Sequence, residues 1–292
     1  MKTPAPATAS WVVVPPFHHD AAWRASVIEA IRTAGRSAYD YEIAPVGAPV
    51  HDPEVVIITA DATQPLMAGA PAEAIAGLIV GVGVRLDPGE DPDALPHHIR
   101  ALTAQIAQMG LLPPERLYRR GDFAAGAIEI LPGIMLQPPA AGAELPPSPR
   151  RRALADAVAL LDPATPQAFW APDLFLYESR LTPGGGPGDL DLTGRPRHLV
   201  CGPSIALPAG RWRATYRLTF DQSGGQLPFR LGWGRFEELE SEDFVPGRPG
   251  VFEIVQEFIW TETAPAEIRI SQLGGAFDGR MTFSGVKVSR VD

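Results

Sequence analysis

Five side chains in the last third of the chain have the chemistry of a binding site. Arg195, Arg197 and Arg213 carry guanidinium groups, which hold carboxylates through paired hydrogen bonds. Trp233 and Trp260 carry aromatic faces, which can pack on the apolar C–H face of a pyranose ring. Together these residues predict a site for a sugar, and for an acidic sugar where the arginines take part.

Each of these residues also has a purely structural alternative. Arginines commonly lie on solvated sheet faces and in surface turns, and Arg211 and Arg217 extend the same pattern. Residue alternation groups Trp233 and Trp260 with apolar neighbours, which favours a place in the core. The sequence leaves both alternatives open for all five residues.

A strand is predicted to position Arg213. Residues 211–220 alternate without a break, and period-two alternation is typical of a half-buried antiparallel strand. One face carries Trp212, Ala214, Tyr216, Leu218 and Phe220, and the other carries Arg211, Arg213, Thr215, Arg217 and Thr219. We therefore expect Trp212 and Tyr216 to face inward and the arginines to face outward.

Further strands surround this one. Candidates lie at residues 199–201, 228–233, 251–260, 267–271 and 280–290. In the last of them the apolar phase shifts by one residue at Gly285, which predicts a β-bulge there. Six or more short strands separated by Gly and Pro turns predict a two-sheet β-sandwich or jelly roll over residues 189–292.

The N-terminal part has a different pattern. Short apolar runs at residues 11–14, 39–44, 55–60 and 78–84 alternate with helical spacing at residues 21–34 and in a helix ending at Gly110. This pattern predicts a small three-layer α/β domain over residues 1–131. A Pro- and Gly-rich connector with a short helix at residues 150–161 follows over residues 132–188. The predicted fold class is therefore α+β with two domains.

The C-terminal sequence resembles a known class of module. The segments LTGRPR (192–197), GPSIALPAGRWRATYRLTF (202–220) and FSGVKVSRV (283–291) are similar to carbohydrate-binding jelly-roll modules. Such modules are appended to bacterial glycosyltransferases and polysaccharide-biosynthesis proteins. The resemblance implies non-catalytic recognition of a surface polysaccharide or oligosaccharide, in polysaccharide assembly or in docking onto a capsule.

Composition excludes some classes of function. A formal charge of −9 argues against a nucleic acid as the main partner. The single cysteine, Cys201, excludes an intramolecular disulfide, and the apolar run at residues 75–84 is too short to span a bilayer. Because no signal peptide is expected, we predict that the chain is cytoplasmic or assembled on a surface or particle. Further copies of the same chain are among its expected partners.

Three alternatives stay open at this stage. The acidic run Glu237, Glu238, Glu240, Glu242 and Asp243 is predicted to be a loop, either solvated or holding Ca²⁺; no other cofactor is expected. An enzyme resembling a glycosyltransferase could bind a sugar nucleotide near residues 18–20 (His-His-Asp), with the D-x-D patterns at residues 91–93 and 189–191 as candidate metal ligands. No catalytic residue is assigned, because common catalytic motifs are absent from the sequence. The third alternative is a structural assembly module.

Overall fold

The computed structural model describes residues 8–16, 20–80, 95–140, 149–162, 165–178 and 185–291. Two compact units make up the chain, Met1–Arg85 with Gln105–Leu145 and Leu86–Ala104 with Pro146–Asp292. The units differ from the predicted boundaries, since residues 146–188 of the expected connector group with the C-terminal unit. That either unit folds as an independent domain stays a prediction.

The N-terminal unit contains a parallel sheet of five short strands. The strands are β1 (Ser10–Val13), β2 (Ser37–Asp40), β3 (Val55–Thr59), β4 (Ile75–Ile79) and β5 (Leu117–Arg119). Their order across the sheet is β2-β3-β1-β4-β5, and all four pairings are parallel. β1 and β3 are buried along their whole length, as expected for parallel strands with both faces covered.

Apolar cores cover both faces of this sheet, in agreement with the predicted three layers. The helices of this unit are α1 (Asp20–Thr33) and α2 (Thr63–Met67), and a small hairpin joins β6 (Ile128–Leu131) to β7 (Ile134–Leu136). Most of α3 (Leu95–Ala107) belongs to the C-terminal unit, which includes Leu86–Ala104. α1 and the hairpin pack on one face, and residues from Met109 to Leu117 pack on the other. β5 and the hairpin were not predicted, because their strands of three or four residues are too short to display a period.

The C-terminal unit is an antiparallel β-sandwich, as predicted. It contains α4 (Pro149–Val158) and the strands β8 (Gln167–Trp170), β9 (Leu176–Tyr177), β10 (Asp189–Asp191), β11 (Arg197–Leu207), β12 (Gly210–Phe220), β13 (Phe229–Arg235), β14 (Glu238–Phe244), β15 (Gly250–Trp260), β16 (Ala264–Gln272) and β17 (Arg280–Val291). The first sheet has the order β10-β17-β12-β15, with β8 also paired to β17. The second sheet has the order β14-β13-β16-β11-β9. Strands β10 to β17 follow the connectivity of a jelly roll.

The predicted connector therefore contributes to the sandwich. Its helix is present as α4, whose residues Leu154 and Val158 are buried. β8 pairs with β17 in the first sheet, and β9 pairs with β11 in the second. Residues 167–177 thus add an edge strand to each sheet, where the sequence predicted a Pro- and Gly-rich connector.

Large aromatic side chains fill the space between the two sheets. Trp212 and Tyr216 are 1% and 0% exposed, which confirms the predicted facing of β12. The indole of Trp233 lies between those of Trp170 and Trp260, with ring centroids 6.0 and 4.9 Å away. Because alternate residues of each strand point inward, the polar residues between them are left on the outer faces.

The predicted bulge in the last strand is confirmed. The pairing of β17 with β12 shifts register between Tyr216 and Leu218, so that Phe283 and Val286 both face the core. Gly285 lies at the shift with φ +97°, a conformation that residues with a side chain rarely adopt.

Candidate functional site

A groove of about 700 Å³ lies on the outer face of the second sheet. The strand registers align one residue from each of four strands in a row across this face: Ser241, Gly232, Arg269 and Cys201. A neighbouring row contains Asp243, Arg230, Ser271 and His198. We call this feature the Gly232 groove; it is lined by Glu178, Pro196, Arg197, His198, Arg230, Gly232, Leu239, Ser241, Arg269, Ser271, Gln272 and Leu273.

The groove exists because β13 presents almost no side chains to the outside. Its inward residues are apolar, while its outward positions are Arg230, Gly232 and Gly234. A Cβ atom on Gly232 would lie 3.3 Å from Oγ of Ser241 and 3.7 Å from Cβ of Arg269. Glycine inside a strand often marks a place where another molecule approaches the backbone closely. Here it leaves the floor of the groove open.

Several polar groups of the groove are held in place by their own hydrogen bonds. The guanidinium of Arg230 donates from Nε and Nη2 to the two carboxylate oxygens of Asp243, at 2.6 and 2.9 Å. These hydrogen bonds lower the pKa of Asp243. Nδ1 of His198 and Oγ of Ser271 are 2.8 Å apart, within hydrogen-bond distance. Side chains fixed in this way lose less conformational freedom when a ligand binds.

Arg197 closes one end of the groove. Its Nη2 donates to the carbonyl oxygen of Asp191 at 2.6 Å, and its Nη1 donates to the carbonyls of Thr193 and Arg195 at 3.3 and 3.2 Å. These hydrogen bonds tie the start of β11 to the turn that precedes it. Arg197 pairs with Gln272 and so shares the face of Gln272 and Phe229, which directs its guanidinium to the core side of the sheet, while His198 lies on the outer side.

Arg269 and Phe236 form a second distinctive pair. Phe236 lies in the turn between β13 and β14 and is 59% exposed. Cζ of Arg269 lies 6.0 Å from the centre of its ring, at the limit of a cation–π contact. The sequence analysis missed Phe236. A signal was available, since an apolar aromatic in a turn flanked by charged residues has no core to enter.

The three predicted arginines do not converge. Arg197 lines the groove, and Arg195 is exposed in the turn before β11. Arg213 lies on the outer face of the first sheet, where its Nη2 is 2.6 Å from Oε1 of Glu257. The outer faces of the two sheets of a sandwich point in opposite directions, so Arg213 cannot share a ligand with Arg197.

The two predicted tryptophans are not available to a ligand. Trp233 is 0% exposed and Trp260 is 1% exposed, and the two rings pack against each other in the core. The hypothesis that they are stacking platforms is therefore wrong, and their core alternative is confirmed. The physical reason is the alternation along β13 and β15, which turns both rings toward the facing sheet.

The acidic run is a strand, which corrects the loop expected for a Ca²⁺ site. Residues 238–244 form β14, in which successive side chains point to opposite faces. Asp243 is held by Arg230 and Glu238 contacts Arg235. Across the described part of the chain, no group of three or more His, Cys, Asp or Glu side chains is arranged to hold a metal ion.

The residues that the enzyme hypothesis singled out do not form a catalytic or metal site within the described part of the chain. His18, His19 and residues 91–93 lie outside the described residues, and the side chain of Asp20 is not described. Residues 189–191, the second D-x-D pattern, form the edge strand β10. The carboxylate of Asp189 accepts a hydrogen bond from Oγ1 of Thr282 at 2.8 Å. Cys201 is half-buried, and burial raises the pKa of its thiol, which disfavours the nucleophilic thiolate.

A buried carboxylate lies beside the groove. Glu267 is 5% exposed on β16, and its Oε1 is 3.6 Å from Nη2 of Arg269. Burial raises the pKa of Glu267, and the nearby Arg269 only partly opposes this effect. The folded protein therefore binds the carboxyl proton of Glu267 more tightly than the unfolded chain does. The free energy of unfolding falls as pH rises from the pKa of Glu267 in the unfolded chain through its pKa in the folded protein.

Replacing Glu267 with glutamine is expected to stabilise the protein by an amount that grows from pH 4 to pH 7, because glutamine cannot ionise. The free energy of unfolding, measured by urea denaturation at several pH values, tests this. Glu257→Gln is the control of opposite sign. The hydrogen bond from Arg213 lowers the pKa of Glu257, so the stability that its charge supplies is present at pH 7 and disappears toward low pH. A pH-independent effect of Glu267→Gln would contradict the assignment.

Comparison with known proteins identifies structural relatives of the sandwich. No protein-family model and no curated protein matches the chain. Among solved structures, the chain is similar to the carbohydrate-binding module TmCBM61, determined in complex with β-1,4-galactotriose, with 14% identity and a TM-score of 0.29 over 37% of this chain and 73% of that one. It is also similar to a family 16 carbohydrate-binding module, with 10% identity and a TM-score of 0.28 over 43% of this chain and 86% of that one.

A third relative is the C-terminal family 6 module of a laminarinase from Zobellia galactanivorans. Here the identity is 12% and the TM-score 0.29, over 42% of this chain and 99% of the module. These structures are carbohydrate-binding modules, the class that the sequence resembles. At such identities and TM-scores the ligand of this chain has to be inferred from its own residues. No helix within the described ranges is long and apolar enough to cross a membrane.

Proposed function

We propose that the C-terminal sandwich binds an oligosaccharide segment of a polysaccharide in the Gly232 groove, without catalysing a reaction. The observation that carries this proposal is a groove whose floor at Gly232 has no side chain and which is lined by hydrogen-bonding side chains, several of them held by partners of their own. A binding surface prepared in this way suits a ligand covered with hydroxyl groups.

The lining groups match the chemistry of a sugar. Each sugar hydroxyl both donates and accepts hydrogen bonds, and the groove offers guanidinium donors, a carboxylate acceptor at Glu178 and the hydroxyls of Ser241 and Ser271. Phe236 adds an exposed aromatic face beside Arg269, on which the C–H groups of a sugar ring can pack. Phe236 takes the role first predicted for Trp233 and Trp260.

The biological context is part of the proposal. The similarity of residues 192–220 and 283–291 to modules appended to polysaccharide-biosynthesis proteins supports a surface polysaccharide as ligand, in its assembly or in docking onto a capsule. It also supports a non-catalytic role. A binding module of this kind is expected to have a Kd between about 1 μM and 1 mM, which corresponds to about −8 to −4 kcal/mol.

Gly232→Val is expected to weaken saccharide binding at least tenfold while the fold is retained. Valine is well suited to strands, and its methyl groups fill the floor of the groove. A glycan array with the full chain identifies ligands, and isothermal titration calorimetry then measures Kd for both proteins. Thr215→Val is the matched control, because Thr215 lies at an outward position of the first sheet.

Two outcomes would overturn the proposal. In one, the folded Gly232→Val protein binds the array ligand as tightly as the unaltered chain, which would remove the site from the groove. In the other, the folded, unaltered chain binds no glycan on a broad array. The structural assembly module would then be the better account of the sandwich.

A further inference from the structure

The Gly232 groove differs in charge from the chain as a whole. Its charged residues are Arg197, Arg230, Arg269 and Glu178 of the lining and Asp243 of the neighbouring row, three cations and two anions. The complete chain carries a formal charge of −9. Because charge complementarity between a site and its ligand determines specificity, a cation of this groove that is accessible to a ligand would favour an anionic ligand over a neutral one.

Two of the three arginines have their hydrogen-bond donors engaged. Arg230 forms a fork with the carboxylate of Asp243, which neutralises it. Arg197 donates to the carbonyl oxygens of Asp191, Thr193 and Arg195, so its charge persists while most of its N–H groups are occupied. Arg197 thus stabilises the turn that precedes β11, and Arg230 contributes to the shape of the groove.

Arg269 is different because most of its donors are free for a ligand. A guanidinium has five N–H donors. Within the described residues Arg269 forms an ion pair with Glu267, in which Nη2 and Oε1 are 3.6 Å apart, a distance longer than a hydrogen bond. Its side chain is 32% exposed, and it lies next to Gly232 in the row across the groove. A planar cation beside an open floor is suited to bidentate binding of a carboxylate.

We infer that the groove selects acidic saccharides, and that Arg269 binds the carboxylate of a uronate residue. This inference rests on the proposed saccharide binding and adds the class of sugar. Phe236 offers an aromatic face to a sugar ring beside Arg269. Arg213, which the sequence analysis assigned to this task, lies on the opposite sheet and is paired with Glu257.

The inference is tested with pairs of ligands in which the charge of the carboxylate is present or removed by esterification. Oligomers of galacturonate, glucuronate and mannuronate are each compared with their methyl esters by isothermal titration calorimetry on the full chain. At least one acid is expected to bind tenfold or more tightly than its ester. This preference is expected to shrink as sodium chloride is raised from about 10 mM to 1 M, because the Debye length falls from about 30 to 3 Å.

Variants of Arg269 and Arg213 test which arginine is responsible for the preference for the acid. Arg269→Gln is expected to abolish the preference for the acid, and Arg269→Lys to keep part of it, since lysine retains the charge and loses the bidentate geometry. Arg213→Gln is the matched control, an exposed arginine on the other sheet, and is expected to leave Kd unchanged. Circular dichroism of each variant confirms the fold.

The outcomes separate this inference from the function on which it rests. If a neutral glycan binds in a manner sensitive to Gly232→Val while no acid is preferred over its ester, acid selectivity is overturned and saccharide binding stands. If the acid preference survives in Arg269→Gln, the assignment to Arg269 is overturned. If the folded chain binds no saccharide of either kind, both proposals fail together.

Discussion

Replacing Trp212 with alanine is expected to lower the free energy of unfolding of the β-sandwich by about 3–5 kcal/mol, as large aromatic truncations in cores do. The indole is 1% exposed between the two sheets. Its Nε1 donates a hydrogen bond to the carbonyl of Pro208 at 3.0 Å, and truncation leaves that acceptor without its partner. Urea denaturation followed by circular dichroism in the β-sheet region measures the change.

The neighbouring residue on the same strand is the control. Arg213 points to the opposite face, and its contact is an exposed ion pair with Glu257, which Arg211 also contacts. Exposed ion pairs contribute little, so Arg213→Ala is expected to change stability by about 0.5 kcal/mol or less. Similar costs at the two positions would mean that the facing of β12 is misassigned.

Gly285→Ala is the second change with a large expected effect, a loss of about 2–4 kcal/mol from backbone strain and crowding together. The residue has φ +97°, and an added Cβ would lie 2.7 Å from the carbonyl oxygen of Trp170 and 2.6 Å from Cζ of Phe169. A backbone oxygen in β8 cannot move aside as a flexible side chain can. The alanine is expected to weaken the pairing of β8 with β17, with the loss measured by denaturation.

A second glycine separates strain from crowding. Gly247 has φ +77° in the loop between β14 and β15, and an added Cβ would meet nothing within 4 Å. Gly247→Ala therefore carries only the cost of the left-handed conformation, about 1–2 kcal/mol. Equal losses in the free energy of unfolding at the two glycines would show that crowding against β8 adds nothing to the cost of Gly285→Ala.

Local sequence patterns were sufficient to predict the facing of the strands. Whether Trp212 and Tyr216 lie inside depends on period-two alternation, which neighbouring residues along one strand display. The slip in phase at Gly285 predicted the bulge for the same reason. Alternation also favoured the core alternative for Trp233 and Trp260, which the structure confirms. These features are determined by residues close together in the chain.

The candidate site depended on pairing between distant segments. Ser241, Gly232 and Arg269 lie in one row because β13 pairs with β14 on one side and with β16 on the other. No local pattern states which strands are neighbours or in which register, since those are decided by the packing of the whole sandwich. The three arginines proposed from sequence therefore came from segments close in the chain, and Arg213 proved to lie on the other sheet.

Sequence patterns were enough to predict the antiparallel β-sandwich, the inward residues of β12, β13 and β15 and the place of the bulge, because each follows from short-range periodicity and from the conformational freedom of glycine. Only the tertiary structure shows that Gly232 lies in one row with Arg269, whose guanidinium approaches the ring of Phe236. That arrangement requires strand registers, and registers are fixed by hydrogen bonds and side-chain packing between residues that are far apart in the chain.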